Sequence, residues 1–214
     1  MTTYGKITTG LIAAWFVFAL SASALHVFVD ASQQISLSVA LAAGIPLIAF
    51  VAWLAASQNF RKFALSLNPR VLTSWQTVRL LGVVFVILEA MQLLPARFAL
   101  SAGYGDIVIG ATAWFAATRL GKPASRALFI LWQTLGMVDL VSAVALGVTA
   151  QFVHSPGPSM HLMTVLPLSL IPTFLVPLFM MFHVISIAQA SKWREPSPAL
   201  QDAQRPGRIP GAVA

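Results

Sequence analysis

The sequence predicts an all-α fold: a polytopic transmembrane helical bundle of about six spanning helices with both termini in the cytoplasm. The first observation is composition, because 58% of the 214 residues are hydrophobic and only 9% are charged, whereas soluble domains carry about 25% charged residues. The second is a set of long apolar segments, and the third is the alternation of basic loops between them. Strands are not predicted, because no ten-residue alternating pattern occurs and lipid tolerates no unpaired backbone.

Six segments contain about 20 residues without an uncompensated charge, which is enough to cross roughly 30 Å of hydrocarbon as a helix. They are residues 7–29, 35–57, 75–94, 101–120, 126–150 and 162–188. The first also has the outline of a cleavable signal peptide, but its apolar residues continue to Val29 and favour a retained helix.

Two further segments do not span. Residues 58–74 combine basic residues with phenylalanines and leucines, which predicts a helix on the inner membrane surface, limited by Pro69. Residues 191–214 contain four prolines and little that is apolar, so we expect a disordered cytoplasmic tail after a single transmembrane domain over 1–190.

Basic residues determine the predicted orientation. One set of loops holds Lys6, then Arg61, Lys62 and Arg70, then Arg119, Lys122 and Arg126, then Lys192, Arg194, Arg205 and Arg208; the opposite loops hold only Arg97. Basic loops stay in the cytoplasm, which predicts N-in, C-in insertion in a bacterial inner membrane. Because the net charge of +7 is scattered in this way, nucleic acid is not the expected partner.

Six ionisable residues lie within the predicted spans, where each costs at least about 2.5 kcal/mol unless it is paired or functional. His26, Glu89 and Asp106 are expected toward the outer side, Asp139 near the middle, and Arg79 and His183 toward the inner side. Asp106 shares a helical stripe with small residues, so it should face protein, and the same argument turns His26 inward beside Ala19 and Ala22.

The outer group allows a metal hypothesis. His26, Glu89 and Asp106, with His154 and His161 from the last external loop, could bind zinc, copper or iron. Haem would need only one or two axial ligands, for which His26, His154, His161 and His183 are available. The absence of cysteine excludes thiolate ligands, and no His-x-x-x-His spacing occurs, so hydrogen bonding across helices is the favoured interpretation.

Asp139 must be buried in protein, paired or protonated in the middle of a span. A proton relay could use it together with Arg79 and His183, while a structural Arg79–Asp139 ion pair explains the same residues more simply. The candidates for a proton or substrate path are Asp139, Arg79, Glu89, Asp106 and His183.

The last predicted span contains Pro167, Pro172 and Pro177. Each proline removes an amide donor and leaves the carbonyl of residue 163, 168 or 173 without its standard partner. Such helices line transport paths in some proteins and are plain kinks in others; a kink is the favoured interpretation.

A spaced pattern covers about the last two thirds of the chain. Its parts are Arg79-x-x-Gly82-x-x-Phe85, Leu94-Pro95-x-x-Phe98-Ala99, Gly105-Asp106-Ile107, Gly136-x-x-Asp139-Leu140, and Leu170-Ile171-Pro172-Thr173-Phe174-x-Val176-Pro177 followed by His183. Together these parts resemble a group of uncharacterised bacterial multi-pass membrane proteins. The resemblance implies that Arg79, Asp106, Asp139 and His183 matter, and it brings no established activity.

Three functions remain open. The leading hypothesis is a small proton-linked carrier or permease for a small solute. The second is a membrane-embedded metal or haem redox protein, and the third is a non-catalytic subunit that docks on a second copy or on another membrane protein. Soluble-type hydrolases and nucleotide enzymes are not expected, because neither a Ser-His-Asp arrangement nor a phosphate loop stands out.

Overall fold

The computed structural model describes residues 3–29, 37–150 and 157–193. The described residues form helices and no strands, in agreement with the predicted all-α class. The α-helices are α1 (Thr3–Ala24), α2 (Leu37–Ala56), α3 (Gln58–Ser66), α4 (Pro69–Ser74), α5 (Val83–Ala90), α6 (Ala96–Phe115), α7 (Arg126–Thr149) and α8 (Val176–Ala190). A 3₁₀-helix over Trp75–Gly82 joins α4 to α5, and a π-helix over Ile171–Leu175 precedes α8. Beyond Trp193, the predicted disordered tail lies outside the described residues.

Five described helices are long and apolar enough to cross a membrane: Thr3–Ala24, Leu37–Ala56, Pro69–Ala90, Pro123–Thr149 and Ile171–Ala190. Many of their large apolar side chains, such as Phe18, Ile48 and Leu131, are exposed. Exposed apolar surface on this scale fits contact with lipid. Helix α6 has the same length as α2, 20 residues, but Arg97, Asp106 and its glycines make it less apolar.

The third spanning helix begins at Pro69, so its predicted start at residue 75 was wrong, and residues 69–74 belong to this helix instead of to the predicted surface segment. Pro69 takes the first helical position, where a missing amide costs nothing, and the Asn68 side chain accepts a hydrogen bond from the Arg70 amide at 2.9 Å. The amphipathic α3 ends at Ser66, before Pro69 as expected, and buries Phe60 and Ala64.

The last predicted span, 162–188, was also wrong at its start. A 3₁₀-turn over His161–Thr164 and an irregular segment come first, and the continuous spanning helix is Ile171–Ala190. The prolines stop regular α-helix before Val176, but two of the three affected carbonyls accept from other donors. The Leu168 carbonyl accepts from the Ile171 amide at 3.0 Å, and the Thr173 carbonyl accepts from the Trp15 indole of α1 at 3.1 Å.

Close packing of the Pro69–Ala90 helix against α6 forms the centre of the bundle, and α7 packs between α6 and α8. Glycines make this approach possible. A Cβ atom at Gly103 would lie 2.8 Å from a Val86 methyl, and one at Gly110 would lie 2.6 Å from the Leu80 backbone nitrogen. Helices α1 and α2 lie against α3, the π-helix and α8.

Candidate functional site

The 3₁₀-helix carries Arg79 into the bundle. A 3₁₀-helix has three residues per turn, so residues three apart share one face. Gln76, Arg79 and Gly82 are the buried residues of this segment, and Thr73 and Phe85 continue the same spacing and are also buried. One polar face of the third spanning helix therefore points at α6, α7 and α8.

Arg79 binds two carboxylates and one carbonyl. Its Nε donates to Asp106 Oδ1 at 2.6 Å, its Nη2 pairs with Asp139 Oδ2, and its Nη1 donates to the Gly136 carbonyl at 3.2 Å. The Arg79 side chain is 1% exposed, against 16% for Asp106 and 18% for Asp139. The guanidinium is thus enclosed, and the carboxylates form the outer edge of the cluster.

Glycines make room for both carboxylates. A Cβ atom at Gly105 in α6 would overlap the Asp139 carboxylate of α7, and one at Gly82 would overlap the Asp106 side chain. Helices can approach this closely only where side chains are absent. The prediction that Asp106 faces protein along a small-residue stripe is therefore confirmed, and so is the predicted contact between Arg79 and Asp139.

His183 extends the network from Arg79 toward Thr73. Its Nε2 lies 3.4 Å from Arg79 Nη1, and its Nδ1 lies 2.5 Å from Gln133 Oε1. Gln133 Nε2 donates to the Thr73 hydroxyl at 2.8 Å. Because amide oxygens only accept, Nδ1 carries the proton and Nε2 presents its lone pair to Arg79. His183 is therefore neutral in this arrangement.

The predicted separation of Arg79 and His183 on the inner side from Asp106 on the outer side was wrong. All three side chains belong to one connected network. The error came from the helix bounds: with a start at Pro69, Arg79 lies near the midpoint of Pro69–Ala90, and with a start at Ile171, His183 also lies well inside its span.

Gln133 and Thr73 were not identified from the sequence, and Gly136 was named only as part of the pattern Gly136-x-x-Asp139-Leu140. Gln133 is 1% exposed within a 24-residue apolar helix, and a lone amide in such a helix usually turns toward protein. The presence of a single amide in this apolar span was the available signal. Thr73 lay within the predicted surface helix, so its burial could not be anticipated.

A cavity of about 250 Å³ lies beside Asp106. One wall is a face of α2 that includes Ala43 and Gly44, and the remaining lining comes from α5 to α8 with the segments that precede α8. Asp106 is the one ionisable side chain among the described residues that line it. The ion-pair network therefore borders an open space through Asp106.

The family model described as a domain of unknown function (DUF8737) matches residues 36–190, well over half of the chain. The protein belongs to the DUF8737 family. Neither the curated proteins nor the solved structures include a match to this chain. Every member of the Arg79 network lies inside the DUF8737 match, whereas α1 precedes it.

The other candidate residues lie apart from the network. Glu89 lines a separate cavity of about 340 Å³ with Arg97, and within the described ranges it forms no ion pair.

His26 was expected beside Ala19 and Ala22, but α1 ends at Ala24 and His26 is exposed in the following turn with φ 57°. His161 begins the 3₁₀-turn before the proline segment.

The metal hypothesis requires a cluster of His, Asp or Glu side chains, and the described residues do not form one. His154 lies outside the described residues. Among those that are described, no three His, Asp or Glu side chains are grouped so that they could hold a metal ion. Asp106, one of the proposed ligands, is bound to Arg79 instead.

Proposed function

We propose that this integral membrane protein is a small proton-linked carrier whose proton site is the Asp106–Arg79–Asp139 cluster. The observation that carries the proposal is a charge count: two carboxylates share one guanidinium, and the adjacent His183 is neutral. If both carboxylates were ionised, the bundle would hold one uncompensated negative charge. Such a charge is costly inside a membrane, so the resting cluster holds one proton or one cation.

Two features of the surroundings support a role in transport over a purely structural one. Asp106 borders a cavity, which leaves space beside the carboxylate for a proton donor or a solute. The same cavity is lined by Pro172 and Pro177, which lie where the last helix changes from π-helix to α-helix, and irregular helices form the substrate sites of many transporters.

The proposal includes the orientation of the chain. We take α6 as a sixth spanning helix, because its 20 residues rise about 30 Å, and we assign both termini to the cytoplasm of a bacterial inner membrane. The distribution of lysine and arginine between the loops supports this assignment.

The test uses proteoliposomes that contain a trapped pH indicator. Cationic, anionic, zwitterionic and neutral solutes are supplied in turn, and one class is expected to drive proton movement in the wild-type protein. Asp139→Asn should abolish this movement while the protein stays monodisperse in detergent. Glu89→Gln, which changes a carboxylate outside the cluster, should retain it.

Two results would contradict the proposal. Folded wild-type protein that moves no protons with any of the four classes would not be a proton-linked carrier. If Asp139→Asn aggregates while Glu89→Gln does not, the Arg79–Asp139 pair is structural.

A further inference from the structure

We propose that the cavity beside Asp106 binds a small hydrophobic cation in exchange for the proton of the cluster. This inference rests on the proposed carrier function and names its substrate class. The cation would lie between α2 and the α5–α8 part of the bundle, against the carboxylate of Asp106.

The lining of the cavity is apolar except at one point. Aromatic and thioether side chains, including Phe85, Phe98, Met163 and Met180, surround the space together with aliphatic residues. The Phe85 and Phe98 rings lie 5.5 Å apart. Such a wall offers hydrocarbon, polarisable sulfur and aromatic rings, and aromatic rings attract cations. It offers no hydrogen-bonding side chain other than Asp106 among the described lining residues.

The charges beside the cavity favour a positively charged ligand. Asp106 Oδ1 already accepts a hydrogen bond from Arg79, and the same guanidinium also forms an ion pair with Asp139. A cation beside Asp106 would therefore neutralise the charge that otherwise needs a proton, whereas an anion would face a carboxylate. A polar neutral molecule would lose its hydrogen bonds to water without replacement. A quaternary ammonium group on an apolar body meets these requirements, since it carries a positive charge, has no hydrogen-bond donors and has an apolar surface that suits the lining.

The wall formed by α2 provides a clean way to test the site. Gly44 lines the cavity, and apart from the adjoining residues of its own helix no described atom lies within 4 Å of a Cβ atom built on it. Gly44→Leu should fill the space without touching the Arg79 cluster. Gly10 in α1 likewise has no described atom within 4 Å and is absent from the lining, so Gly10→Leu is the matched control.

The experiment is calorimetric titration of the purified full-length protein with benzyltrimethylammonium. Neopentylbenzene, its uncharged carbon isostere, serves as the comparison. We expect the cation to bind with release of one proton, so that its affinity falls about tenfold per unit of decreasing pH while the cluster is protonated. Gly44→Leu should weaken binding at least tenfold, and Gly10→Leu should leave it unchanged. Asp106→Asn should abolish the preference for the cation over the isostere.

Equal binding of the isostere, or unchanged binding to Gly44→Leu, would overturn the site. This second criterion remains decisive even if Asp106→Asn fails to fold. Cation binding without proton release would support the site and contradict the proton-linked function. Absence of cation binding in protein that moves protons with another solute class would contradict the substrate class and leave the carrier function standing.

Discussion

Arg79 is suited to its position by the shape of its side chain. Its guanidinium directs Nε at Asp106, Nη2 at Asp139 and Nη1 at Gly136, so one planar group contacts two different helices. Lysine has equal charge but presents it at a single point, and it cannot reproduce this fork. The geometry of the donors, and not charge alone, therefore connects the third spanning helix to α6 and α7.

Arg79→Lys should lower the stability of the protein by at least about 2 kcal/mol, because charge-assisted hydrogen bonds of about 1.5–3 kcal/mol each would be lost. Arg97→Lys is the control, since Arg97 is exposed and forms no ion pair with any described residue. Thermal unfolding in detergent measures both variants. Equal shifts for the two would show that the fork adds nothing to stability.

The side chains of the network differ in how far they could be predicted. The orientation of Asp106 toward protein could be predicted from its small-residue stripe, because that pattern lies within one helix. The chain from His183 through Gln133 to Thr73 could not, because its members belong to three different helices. Their contacts depend on helix rotation and depth, which the apolar pattern of a membrane span does not encode.

The third spanning helix shows what hydropathy alone misses. Buried residues recur every third position from Thr73 to Phe85, and only a 3₁₀ segment keeps such a series on one face for this length. The predicted start at residue 75 followed from the basic Arg70, yet Pro69 and the Asn68 cap place the helix start earlier. Capping chemistry, which is visible in the sequence, would have given the better boundary.

The last spanning helix shows the opposite case. Three prolines predicted an irregular helix. Whether the chain would kink or lose its helical structure depended on hydrogen-bond donors from other parts of the chain. The indole of Trp15 fills that role for Thr173, and its contribution comes from α1, more than 150 residues away in sequence. The favoured prediction of a continuous kinked helix therefore failed over residues 162–170, whereas Ile171–Ala190 continues through Pro172 and Pro177 as one helix.

Gly110→Ala should separate α6 from the 3₁₀-helix. Its Cβ atom would lie 2.6 Å from the Leu80 nitrogen and 3.1 Å from the Arg79 carbonyl carbon, and backbone atoms cannot yield as a flexible side chain can. We expect a loss of about 1–3 kcal/mol, as for other overpacked sites. Scanning fluorimetry of the purified protein gives the change.

Gly10→Ala is the matched substitution, because no described atom lies within 4 Å of its Cβ atom. Alanine favours helix over glycine by about 1 kcal/mol, so this variant should be as stable as the wild type or more so. A Gly110→Ala protein that matches it would show that the α6 contact is looser than the structure indicates.

The bundle divides into a polar centre and an apolar periphery. The Arg79 network joins the third spanning helix, α6, α7 and α8 inside the DUF8737 match, while the described residues of α1 and α2 expose large apolar side chains such as Leu11 and Ile48. This division explains why α6 is less apolar than the other long helices: it contributes Asp106 and glycines to the centre.

The number of spans can be decided by single cysteines, since the chain contains none. Gln92 and Lys122 are both exposed and lie on either side of α6. If α6 crosses the membrane with the proposed orientation, Gln92→Cys should react with a membrane-impermeant maleimide in intact cells, and Lys122→Cys should react only after permeabilisation. If α6 does not cross, both cysteines will react from the same side. Labelling of Lys122→Cys alone in intact cells would instead keep six spans and reverse the orientation.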